Sequence, residues 1–233
     1  MPSYTKSLIL CLLLFVFNGC NNKTLELEKK EPIKTKFVEL KTKSFESENQ
    51  YIILALESEN QKLYFDARNL YFKLFEKTDN YEYFVKYLAI STHIQDYKIV
   101  KEHALKYYKN NIKEEEIILR LYTFALFKLG NQKEALLNAQ KLANLFKSDV
   151  NYELLGTIYL QQKDYLKAYE FFEKSFVLNK SANTFLNLTN IQYFNLSQKT
   201  EAINKIEQYI KDNGHDFNLS IQLLTFYEKE QQA

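Results

Sequence analysis

The chain has 233 residues, with 31 Lys+Arg against 29 Asp+Glu and a formal net charge of +2, a balance that does not fit a nucleic-acid binder driven by a basic surface. Hydrophobic residues make up 46%, enough to build a core, so wholesale disorder is excluded. Only 4 Gly and 2 Pro remove collagen-like, loop-rich and most β-sandwich architectures, and 18 Tyr and 18 Phe must be packed somewhere, so the chain reads as nearly all helix.

In chain order, residues 1–19 read as a signal peptide. Lys6 opens a positive start, and Leu8 to Phe17 (LILCLLLFVF) is an unbroken apolar run. As helix it would extend roughly 15 Å, about half a bilayer core, which is the shape of a secretory segment rather than a membrane span. It ends at Phe17-Asn18-Gly19-Cys20, which resembles the lipobox of bacterial lipoproteins. The resemblance implies cleavage after Gly19 and lipidation of Cys20 by a diacylglyceryl thioether and an N-acyl (palmitate-type) chain. At ~0.8 kcal/mol per buried CH₂, three chains hold a protein firmly on a membrane. Asn21, rather than Asp, implies the outer membrane of the cell envelope, facing the periplasm, more than the inner one. Cys11 lies in the discarded segment, so Cys20 is left alone, without a disulfide or a cysteine metal cluster.

Residues 20–47 read as the lipidated cysteine and a charged, flexible tether, rich in Lys and Glu and containing Pro32. A chain of that length spans roughly 30 Å r.m.s., enough to hold a folded part clear of lipid.

Residues 48–216 contain about five copies of one pattern. The best copy, Asp149 to Ala182, has Tyr152-x2-Leu155-Gly156-x2-Tyr159 followed by Ala168-x3-Phe172. With Ala168 as anchor, equivalents fall at Ala67, Val100, Ala135 and Ala202, separated by 33, 35, 33 and 34 residues. Tyr71, Ala104, Ala139, Phe172 and Ile206 follow four residues after each anchor, and Tyr51, Phe84, Leu119, Tyr152 and Leu186 stand sixteen before. The second copy fits Leu88-Ala89 to Leu155-Gly156 if the link between its helices is one residue short. This pattern resembles the tetratricopeptide (TPR) repeat, whose period is about 34 residues. The resemblance implies an all-α, TPR-like α-solenoid: a right-handed superhelix of antiparallel helix pairs, with Gly156 and Ala168 small because two helices cross there. Turns are expected at Thr78-Asp79-Asn80, Gly130-Asn131, Lys163-Asp164 and Asn213-Gly214. Residues 217–233 read as a C-terminal capping helix, Ser220 to Glu230, closing an apolar end.

No enzyme motif is found. Each glycine has a structural use, which leaves none for a phosphate cradle or a nucleophile turn. His93, His103 and His215 are scattered, and Glu114-Glu115-Glu116 reads as the acidic start of a helix. No catalytic residue, metal site or cofactor is therefore expected. Asp216-Phe217-Asn218-Leu219-Ser220 resembles a bacterial N-glycosylation acceptor, with Asn218 as the modified residue. In the TPR family the first helices of successive repeats line a partner-binding groove. Carried over by repeat offset, the groove positions are Val85, Ala89 and His93, then Arg120, Phe124, Phe127 and Lys128. They continue with Glu153, Thr157, Leu160 and Gln161, and with Asn187, Ile191, Phe194 and Asn195. Cations in register are too few for a carboxylate clamp. The partner expected is another envelope protein or peptide, as an amphipathic helix or extended segment, with no nucleic acid; the oligomeric state is open.

The reading is thus a membrane-anchored periplasmic TPR lipoprotein acting as a protein–protein interaction scaffold in an envelope assembly, not an enzyme. One alternative is a component of outer-membrane β-barrel assembly or a pilus/secretion pilotin-type factor; another, of a different class, is an enzyme or glycan-binding protein on the same scaffold.

Overall fold

The computed structural model describes residues 45–110 and 115–231; the signal peptide, Cys20, the tether up to residue 44 and Glu114 lie outside the described residues. Eleven α-helices follow one another, and no strand occurs among the described residues. They are α1 (Glu48–Asn60), α2 (Tyr64–Thr78), α3 (Tyr81–His93), α4 (Tyr97–Asn110), α5 (Glu116–Lys128) and α6 (Gln132–Leu145). Then come α7 (Asp149–Gln161), α8 (Tyr165–Leu178), α9 (Ala182–Phe194), α10 (Lys199–Asn213) and α11 (Phe217–Gln231). The chain divides within α3 into two compact units, one ending at Tyr87 and one beginning at Leu88.

In the first unit α1 packs along α2. Ala55 and Ala67 are fully buried, as small residues must be where two helices approach closely. Tyr71 and Leu74 fill the space beside them. Aromatic contacts carry the packing onward, Phe75 on Phe84 at 4.5 Å and Phe72 on Tyr87 at 4.7 Å between ring centroids.

In the second unit each helix from α4 onward packs on its successor, and α5 also touches α7, as α9 touches α11. This is the contact pattern of a solenoid built from consecutive helix pairs. The repeat anchors Val100, Ala135, Ala168 and Ala202 are fully buried, as are Ala104, Ala139 and Ile206 one turn later, with Phe172 at 1% exposure. At the α7–α8 crossing even a methyl group would press on its neighbours. A Cβ added to Gly156 would lie 3.2 Å from Phe172 Cδ2 and 3.3 Å from the Ala168 carbonyl oxygen.

Two register expectations are corrected. The second repeat has no shortened link: Leu88, not Ala89, is fully buried twelve residues before Val100. In the fifth repeat the link is longer instead. Residues 162–164 join α7 to α8, whereas residues 195–198 join α9 to α10, one residue more. The slot filled by Gly156 is therefore taken by Thr189, which is fully buried and donates its hydroxyl to the Phe185 carbonyl at 3.1 Å. Phe185, not Leu186, matches Tyr152.

The links explain themselves through one residue each. Lys62, Gln95, Gly130, Lys163 and Ser197 all have positive φ, from 58° to 78°, and each stands five residues before its repeat anchor. In the fourth repeat the Lys163 N–H donates to Leu160 O at 3.1 Å and the Asp164 N–H to Tyr159 O at 3.0 Å, closing the helix end with a left-handed cap. The first three repeats make the same pair of bonds. In the fifth, the extra residue shifts the closure so that the Gln198 N–H donates to Gln192 O.

Helix α11 begins at Phe217, earlier than Ser220, because the Asp216 carboxylate accepts from the Leu219 N–H at 3.0 Å and caps it. Its inner face is well seated: Leu219 and Phe226 are fully buried and Phe226 stacks on Tyr193 at 3.9 Å. Its outer face mixes polar residues, Asn218, Glu228, Lys229 and Glu230, with apolar ones. Phe217, Ile221 and Leu224 stand 79%, 49% and 57% exposed.

Candidate partner-binding face

The first helices α5, α7 and α9 turn their fifth, ninth, twelfth and thirteenth residues to one face by helical spacing. For α5 these are Arg120, Phe124, Phe127 and Lys128, and for α7 they are Glu153, Thr157, Leu160 and Gln161. The longer fifth link moves the α9 set by one. Leu186, Asn190, Tyr193 and Phe194 hold those places, whereas the sequence offset selects Asn187, Ile191, Phe194 and Asn195. Ile191 is buried at 2% exposure inside the unit, and Asn195 lies in the link. Only Phe194 is common to both sets.

The α5 residues are tightly engaged with their neighbours. Arg120 Nη1 donates to Glu116 Oε1 and to Asn151 Oδ1, both at 3.2 Å. Asn151, fully buried at the start of α7, donates in turn to Glu116 Oε1 and to the Phe146 carbonyl, both at 2.8 Å. Ser148 Oγ donates to the same Glu116 oxygen at 3.1 Å. This network ties the third repeat to the fourth and fixes the guanidinium. Further along, Phe124 meets Tyr97 edge-on at 6.0 Å, and Lys128 lies over the Phe124 and Phe127 rings at 5.1 and 5.9 Å. Burial pushes the Lys128 ammonium below its usual value. Both phenylalanines are half-buried, so they pack within the unit and still offer surface.

On α7 the electrostatics change. Glu153 is half-buried, and desolvation, reinforced by the like charge of Asp149 one turn earlier, pushes its carboxyl up to about 7. Thr157 Oγ1 donates to the Glu153 backbone carbonyl at 2.8 Å and leaves the carboxylate alone. Leu160 is half-buried and Gln161 exposed. On α9, Asn190 Oδ1 is buried with no donor, and Phe194 lies 49% exposed with its ring edge-on to Tyr193 and Phe226.

Sequence reasoning missed Asn151, Leu186 and Asn190. Asn151 had a signal: it occupies the third place of its helix, where α5 has the buried Ile118. Of the other candidates, Val85, Ala89 and His93 are half-buried on α3, and Asn218 is exposed in the first turn of α11. Among the described residues no group of three or more His, Cys, Asp or Glu could hold a metal ion, and no helix is long and apolar enough to cross a membrane.

No family model matches the sequence, and no curated protein matches it. Solved structures do. A tetratricopeptide repeat protein from Parabacteroides merdae matches with TM-score 0.63 at 16% identity, over 78% of this chain and 73% of its own. The fold is that of the tetratricopeptide repeat. Pseudomonas aeruginosa PilF matches with TM-score 0.61 at 20% identity, over 80% of this chain and 86% of its own. YrrB, described as a TPR protein with an unusual peptide-binding site, matches with TM-score 0.55 at 17% identity, over 75% and 90%. The shared TPR fold accounts for the helix pairs and their small-residue crossings, while the face residues named above belong to this chain.

Proposed function

We propose that this chain is a protein-binding scaffold without chemistry of its own, held in a bacterial envelope by lipid on Cys20 and facing the periplasm, from the outer membrane more than the inner. The observation that carries the binding role is the face of α5, α7 and α9. It combines partly exposed apolar rings, Phe124, Phe127 and Phe194, with polar groups, Glu153 and Asn190, whose needs the fold leaves unmet. Such a face suits an extended peptide or an amphipathic helix from a partner. The peptide-binding description of YrrB, a neighbour in fold, is in keeping with this use. Support for the anchor comes from the Phe17-Asn18-Gly19-Cys20 sequence alone. A part in β-barrel assembly or as a pilotin-type factor is the more specific version of the same role.

A glycan-binding reading would draw on a different feature. A cavity of about 310 Å³ opens between α8, α9 and α10, floored by Phe176, Phe185 and Tyr209. Its cation Lys205 is taken up by the Tyr169 hydroxyl at 2.7 Å, and Gln208 donates to Asp212 at 2.8 Å. Polar groups satisfied among themselves favour the scaffold.

The test is the double variant Phe124→Ala, Phe127→Ala in the native host. Partner capture should fall while the helical circular dichroism signal is kept; undiminished co-purification would overturn the face assignment.

A further inference from the structure

The face of α5, α7 and α9 carries two acceptors that the protein itself does not meet. Glu153 is half-buried on α7, and no donor among the described residues is recorded at its carboxylate. Asn190, on α9, the first helix of the next repeat, holds a buried Oδ1 with no partner. Unmet acceptors are costly in a folded protein, and at the half-buried Glu153, which a ligand can reach, the cost is recovered when the ligand brings the donor.

The charges nearby define what that donor is. Arg120 is committed to Glu116 and Asn151, and Lys128 lies over two phenylalanine rings. The charge that acts on Glu153 is Asp149, which is of the same sign and itself accepts from Asn179 Nδ2 at 2.7 Å. A carboxylate ligand would meet repulsion here, and a neutral apolar one would leave Glu153 buried without a counter-charge.

We propose that this face receives an extended segment of a partner protein carrying a lysine or arginine, whose cationic head sits on the Glu153 carboxylate. The half-buried Leu160 and Leu186 on the same face suit the aliphatic stem of such a side chain. The raised pKa of Glu153 agrees with a carboxylate prepared for a cation that arrives with the ligand. This inference rests on the protein-binding reading and specifies its ligand.

Disulfide tethering on the full chain tests it, with Cys11→Ser and Cys20→Ser so that one thiol remains. Thr157→Cys places that thiol one turn from Glu153, and Glu201→Cys, exposed in the first turn of α10 and away from the α8–α10 cavity, serves as reference. The probes are cysteamine disulfides of acetyl-arginine, acetyl-citrulline and acetyl-norleucine, competed with mercaptoethanol and read by mass spectrometry. At Thr157→Cys the arginine probe should be captured about fivefold more than citrulline, a preference lost with Glu153→Gln and not seen at Glu201→Cys. Equal capture of arginine and citrulline, with norleucine still enriched over the reference site, would overturn the cation assignment and leave the binding face standing. No enrichment of any probe over the reference site would overturn both. Should Thr157→Cys fail to fold, Leu186→Cys reports from α9 with the same expectations.

Discussion

Glu153 is the residue whose environment is least like that of an ordinary surface carboxylate. Its folded pKa, about 7, lies above the roughly 4.3 of an unfolded glutamate, so the native state binds more protons between those values. Stability should therefore fall as pH rises through that window and level off above it. Glu153→Gln removes the penalty. It should be near neutral at pH 4 and stabilising by about 1–3 kcal/mol at pH 8 in urea denaturation; an equal effect at both pH values would contradict the burial. The crossings make an opposite demand, for small size. Ala168 is fully buried, with its carbonyl 3.3 Å from where a Cβ on Gly156 would sit. Ala168→Phe should cost about 1–3 kcal/mol by overpacking, and an unchanged melting temperature would discredit the crossing. Ala67, Ala135, Ala168 and Ala202 were legible in the sequence because a close approach of two helices admits few residue types. The pKa of Glu153 was not legible, since it depends on the desolvation that packed neighbours impose.

At the scale of elements, the turn residues show where sequence reading stops. Of the five left-handed link positions only Gly130 is a glycine; Lys62, Gln95, Lys163 and Ser197 adopt the same region at a steric cost. The paired hydrogen bonds that end the first helices hold Lys62, Gln95 and Lys163 there, and nothing in a lysine or glutamine announces it. Lys163→Gly should therefore stabilise the protein by about 0.5–1 kcal/mol, a rise in melting midpoint; a loss would show that Lys163 contributes contacts that outweigh its backbone strain. The fifth link is the other illegible feature. An anchor at Ala202 fixes α10, but the extra residue between Asn195 and Gln198 displaces α9, which is why Ile191 proved buried and Asn190 took its place on the face.

At the scale of the molecule, periodicity conveyed the helical-repeat fold almost whole, because a 34-residue rhythm of small and bulky residues has few other physical meanings. Helix α11 covers α9 and α10 with Leu219 and Phe226 yet presents Phe217, Ile221 and Leu224 outward beside Asn218, Glu228 and Lys229, so it closes the repeats with a mixed outer surface. The proposed membrane attachment rests on Cys20. Labelled palmitate should enter the native chain and not Cys20→Ala, with the variant recovered in the soluble fraction; labelling of both alike would remove the lipid anchor from the account.

The central claim is that partners meet this protein on the first-helix face of its later repeats. Photo-cross-linking in living cells, with the reactive residue placed in turn at Phe124, Thr157 and Asn190 and, for contrast, at Glu173 and Lys205, tests it most directly. One shared adduct from the first three positions and none from the last two is the predicted result; an adduct formed only from Glu173 and Lys205 would contradict it.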